Sequence, residues 1–119
     1  MHKAFPQRNQ KKKKSTTHLQ IEFNSLKQRN GESAQNFGRR VDLLAMELYE
    51  SMIEEREHSL EQQRTILDII KKQALQNYQI GLSDDIRLLV RTQKYNTLQE
   101  AIAEVSAEEK VKGPSTRNN

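Results

Sequence analysis

The residues able to do chemistry are few, and the most ordered group stands around one predicted helix start. Gln28 is followed by Glu32 four positions on and by Arg40 eight further, with Phe37 between the last two. An amide, a carboxylate and a guanidinium so placed can bond one another. The blander reading is an exposed Glu and Arg beside a helix cap. Catalytic and metal-binding patterns are missing around them. His2, His18 and His58 are far apart and lack metal-ligand spacing, so all three read as surface residues. Glu54-Glu55-Arg56-Glu57 reads as a solvated charge run. No phosphate-cradling glycine loop, nucleophile elbow or two-cysteine motif occurs. With four glycines in all, the chain has few places for a backbone-built active site. These residues point away from an enzyme, a cofactor or a small-molecule substrate.

Composition narrows the classes further. The 119 residues allow one domain with a modest core. Hydrophobic residues make up 34% and charged residues 30%, so part of the chain is expected to be disordered. The absence of cysteine excludes disulfides and cysteine-ligated zinc and fits a reducing compartment. No apolar run is long enough to span a bilayer, and no secretory segment opens the chain. A soluble, cytoplasmic protein with no membrane contact is expected. The net charge of +4 is unevenly spread: residues 1–14 hold six basic residues and no acid, leaving 14 basic against 16 acidic residues elsewhere. Lys11, Lys12, Lys13 and Lys14 are therefore candidates for non-specific RNA contact, at an affinity that falls steeply with salt. A merely solvated leader fits equally well.

The elements that must position these groups are helices. Residues 1–15 read as a disordered basic leader, 16–112 as one helical domain, and 113–119 as a disordered tail. Leu19, Phe23 and Leu26 recur at helical spacing and predict a first helix over 17–29, stopped at Asn30-Gly31. A second helix is expected over 33–50 with Phe37, Val41, Leu44 and Leu48 facing inward. Further helices are expected over 60–79, 83–93 and 97–110. "SLEQ" at 59–62 and "TLQE" at 97–100 both match the capping box, and "SDD" at 83–85 places a cap and two acids at a helix start. The fold class is all-α, a small bundle of about five helices. In the third helix, Ile66, Leu67, Ile69, Ile70, Ala74, Leu75, Tyr78 and Ile80 cover more of the wheel than one buried stripe needs. Either this helix is central, or it faces the core on one side and another subunit on the other. A helix-turn-helix reading of the last two helices fails, because Glu100, Glu104, Glu108 and Glu109 would face phosphate.

Gln28, Glu32, Phe37 and Arg40 match the order and spacing of the major homology region of retroviral and retrotransposon capsid proteins. The downstream stretch from "NYQIGLSDD" to "TLQEAIAEVSAEEK" resembles the end of the Gag capsid of gypsy-like LTR retrotransposons. The resemblance covers about residues 17–112. It implies a fold like the retroviral capsid C-terminal domain, with Gln28, Glu32 and Arg40 in a buried hydrogen-bond network. In that network Glu32 would accept from backbone N–H groups and from Arg40. Arg29 stands where retroviral versions carry glycine, with Gly31 displaced by two, so the turn is expected to be a continued helix end.

The resemblance also implies a function. The chain would self-associate into a capsid shell, a virus-like particle packaging the element's RNA. By position, the third helix would supply the two-fold contact, with some of Leu67, Leu75 and Tyr78 exposed in the monomer. The alternative is a monomeric, domesticated capsid-fold adaptor that binds a peptide of a host protein.

Overall fold

The structure, a computed structural model, describes residues 14–90 and 93–112. Among them the chain is all-helical, in the order α1 (Thr16–Asn24), α2 (Ala34–Glu54), α3 (Leu60–Gly81), α4 (Asp84–Val90) and α5 (Leu98–Lys112). Helix α3 packs against each of the other four, and α2 packs on α1, α3 and α5. The core is one cluster in which Phe23, Phe37, Val41, Leu48, Tyr78, Ile86, Val90 and Val105 are essentially inaccessible.

Local side-chain caps form at the starts of α1, α2, α3 and α5. Ser15 caps α1 by accepting from the His18 N–H, and Ser33 caps α2 through the Asn36 N–H. At α3 the capping box forms in full between Ser59 and Gln62. At α5 the Thr97 hydroxyl accepts from the Glu100 N–H, while the Glu100 carboxylate reaches past Thr97 to the Asn96 N–H. Ser83 accepts the Arg87 N–H on its carbonyl and donates its hydroxyl to Asp85.

Several expectations need correction. The first helix stops at Asn24, not near residue 29. The Ser25 hydroxyl turns back onto the Ile21 and Glu22 carbonyls, and the Gln28 N–H bonds the Gly81 carbonyl at the end of α3. Residues 26–29 thus run beside α3 as a non-helical segment, which also overturns the continued helix end. The second helix runs on to Glu54. The fourth is shorter than 83–93 within the described residues, ending at Val90. The leader loses its last two residues to the fold: Ser15 is a cap, and Lys14 pairs with Glu22 at 2.9 Å. Lys11, Lys12, Lys13, His2 and residues 113–119 lie outside the described residues.

Candidate functional site

Glu32 sits at the close of a turn from Arg29 to Glu32, sealed by the Glu32 N–H bonding the Arg29 carbonyl at 3.0 Å. Gly31 occupies the third position at φ 78°, the left-handed value that a type II turn demands there. The turn aims the Glu32 carboxylate at α2. Oε2 accepts from Arg40 Nε at 2.7 Å, and Oε1 accepts from Arg40 Nη2 at 2.9 Å and from the Arg29 N–H at 3.0 Å. The guanidinium is anchored further by donating to the Lys27 carbonyl at 2.8 Å. This two-pronged pairing is the strong form of an ion pair. Only 9% of the Glu32 side chain is accessible, so water screens the pair weakly. Hydrogen bonding from Arg40, followed by that from the Arg29 N–H, holds the Glu32 carboxyl below its ordinary range against the opposing effect of burial. The same bond raises the Arg40 guanidinium.

Gln28 works on the opposite side of the segment. Its Oε1 accepts from the Ser83 N–H at 2.9 Å, and its Nε2 donates to the Glu32 carbonyl at 2.7 Å. One side chain thereby joins the turn to the start of α4. Phe37 is the packing partner that the polar groups surround. Its ring stacks on Tyr78 with centroids 5.4 Å apart, and the Arg40 guanidinium lies over it at 5.4 Å. All four residues of the spaced set are therefore in one connected cluster at the α2 start.

Three further members were not assigned to this cluster by the sequence. Glu109, on α5, accepts from the Ala34 N–H at 2.9 Å and from Gln28 Nε2 at 3.4 Å. A carboxylate from the far end of the domain thus satisfies a free N–H at the α2 start, where the helix dipole favours negative charge. Tyr78 donates its hydroxyl to the Ala34 carbonyl at 3.1 Å, and burial, followed by the nearby Glu109 charge, raises its phenol. Gly81 is there for closeness. A Cβ on it would lie 2.5 Å from the Leu26 carbonyl oxygen and 2.6 Å from the Phe37 ring.

The candidate association residues separate. Tyr78 is fully buried, so it offers no surface; the correction follows from its stacking on Phe37 and its bond to Ala34. Leu67 and Leu75 are half-buried. The large apolar side chains that α3 turns to solvent are Leu60, Ile69 and Ile80. The broad apolar arc is thus mostly core, and two of its members, Ile69 and Ile80, face outward. His18 is exposed as expected. His58 is not a free surface residue: it is half-buried, and its Nδ1 is enclosed without a partner among the described residues.

No cluster of His, Cys, Asp or Glu able to hold a metal occurs among the described residues, and none of their helices is long and apolar enough to cross a membrane. Comparisons with protein-family models, with curated proteins and with solved structures return no match.

Proposed function

We propose that this chain is a structural, non-enzymatic domain of the Gag capsid kind found in gypsy-like LTR retrotransposons. Its work is to self-associate into a shell around RNA in the cytoplasm. The observation that supports this reading is the cluster at the α2 start. Gln28, Glu32, Phe37 and Arg40 have the order and spacing of the major homology region, and Glu32 accepts from both Arg40 and a backbone N–H, as that resemblance implies. Such a cluster fixes the angle between the turn and α2 and so presents a fixed outer surface, which a repeating shell requires. Lys11, Lys12 and Lys13 would supply non-specific RNA contact ahead of Lys14, which is already paired with Glu22.

Light scattering of the purified protein across concentration and salt tests the proposal. Mass that rises with concentration is the expected result. A strict monomer at every concentration overturns it. That outcome directs attention to the second reading, a peptide-binding adaptor. A groove of about 230 Å³ between α2, α3 and the start of α5 favours it, with Ala45, Met46, Leu67, Ile70 and Leu98 along its walls.

A further inference from the structure

We propose that Asn30-Gly31 is a deamidation site whose reactivity is gated by the Glu32–Arg40 pair. The inference rests on the turn itself and is independent of any capsid role. Both residues are exposed, and a Cβ placed on Gly31 would meet nothing within 4 Å. The Gly31 N–H bonds no group among the described residues. An asparagine amide followed by an unhindered glycine nitrogen has what intramolecular attack requires.

In the reaction, the deprotonated Gly31 nitrogen attacks Asn30 Cγ and forms the new carbon–nitrogen bond of a five-membered succinimide. The bond from Cγ to the Asn30 amide nitrogen, Nδ2, breaks, and ammonia departs with the proton that the Gly31 nitrogen gave up. Water then opens the ring at either carbonyl, leaving aspartate or isoaspartate at position 30. One water is consumed, one ammonia is released, and nothing is oxidised or reduced.

The gate is the turn. Attack requires the Asn30–Gly31 peptide to rotate toward the side chain, and the closed turn fixes that peptide between two bonds. One is the Glu32 N–H to the Arg29 carbonyl; the other is the Arg29 N–H to Glu32 Oε1. The second exists because Arg40 holds the carboxylate in place. Reaction therefore proceeds from the opened turn, at a rate set by how often the pair lets go. The isoaspartate product adds a methylene to the main chain inside the turn. The Arg29–Glu32 closure cannot then re-form in the same geometry, and Glu32 is drawn away from Arg40. The step works in one direction: an open network is chemically recorded and kept open.

Peptide mapping by mass spectrometry of the full-length protein, incubated at neutral pH, tests this at residue 30, with Asn24 and Asn96 as internal controls. The native protein should convert about tenfold or more slowly than the same protein in urea, the factor given by about 1.4 kcal/mol of local closure. Glu32→Gln, with its helical content checked by circular dichroism, should move the native rate toward the urea rate. Should it unfold, Arg40→Lys serves in its place. Gly31→Ala should suppress conversion in native and denatured protein alike. Equal native and urea rates, or a folded Glu32→Gln variant with the native rate, would overturn the gate. An Asn30 that survives in urea no less than Asn24 would overturn the site.

Discussion

The two ends of the α2–α3 pair are held by different means. At the far end, where α2 finishes at Glu54 and α3 begins at Leu60, the bonds are local apart from one between the Ser51 and Thr16 hydroxyls. Ser59 and Gln62 cap each other three residues apart, Gln63 Nε2 reaches the His58 carbonyl, and Leu60 is open to solvent. At the near end, where α2 begins, the local bonds of the Ser33 cap and of the Arg29–Glu32 turn are joined by bonds between residues remote in sequence. Gln28 meets Ser83, Glu109 meets Ala34, and Tyr78 meets Ala34, across separations of 55, 75 and 44 residues. A local cap stabilises whichever helix it sits on, folded domain or not. The long-range bonds of the near end form only when α2, α3, the start of α4 and α5 have already assembled. It therefore acts as the cooperative part of the molecule, and damage there should cost far more.

The largest effect is expected from Phe37→Ala. Phe37 is fully buried and lies between Tyr78 and Arg40, so truncation removes a core ring and leaves a cavity under the ion pair. A loss of about 3–5 kcal/mol in urea denaturation is expected. A loss as small as that at the far end would erase the contrast.

Next come Glu32→Ala and Arg40→Ala, each expected to cost about 2–4 kcal/mol because each leaves a poorly solvated charged partner unpaired. The double mutant should cost less than the two singles together, since the second change removes the stranded charge. A depressed folded-state carboxyl adds a pH signature. Its stabilisation is complete above the unfolded carboxylate range near 4.5 and is lost as pH falls through the lower folded value. Wild-type acid unfolding should show this loss, and Glu32→Gln should flatten it. Identical acid profiles for the two would mean that the pair contributes nothing.

Glu109→Ala sharpens the comparison. It removes the α5 carboxylate from the Ala34 N–H and from Gln28 while leaving the turn's own ion pair intact. About 1–2 kcal/mol is expected, in line with loss of a helix-start acceptor. Hydrogen exchange should quicken at Ala34 and across residues 26–33, and remain unchanged at the start of α3. Exchange that quickens evenly throughout the domain would show that the two ends are not separate.

The contrast between the ends also explains what could be read beforehand. The all-α class and the starts of α2, α3 and α5 were legible because Ser33, Ser59 and Thr97 act within a few residues of themselves. The set Gln28, Glu32, Phe37 and Arg40 was legible as a pattern, since its spacing falls within one stretch. Glu109 was not, because on its own helix it is one more acid after Glu108, and its partner is 75 residues away. Tyr78 was misplaced for a related reason. Periodicity says that a residue is apolar-facing, but only packing shows that the facing surface is the Phe37 ring. The end of α1 failed similarly: Leu26 continues the helical spacing, yet the Gly81 carbonyl takes the Gln28 N–H and pulls the segment out of the helix.

Ser59→Ala tests the weak end and should have the smallest effect. It removes the acceptor for the Gln62 N–H, whereas Gln62 Oε1 can still accept from the residue 59 N–H, so half of the capping box survives. The site is exposed, and water can take up the freed N–H. A loss of about 1 kcal/mol is expected, the ordinary cost of an N-cap. Because the cap acts on α3 alone, it should add to Glu109→Ala with no coupling, as distant sites without shared partners do. Coupling of more than about 0.5 kcal/mol between them would mean that α3 transmits strain along its length. The two ends would then be one cooperative unit.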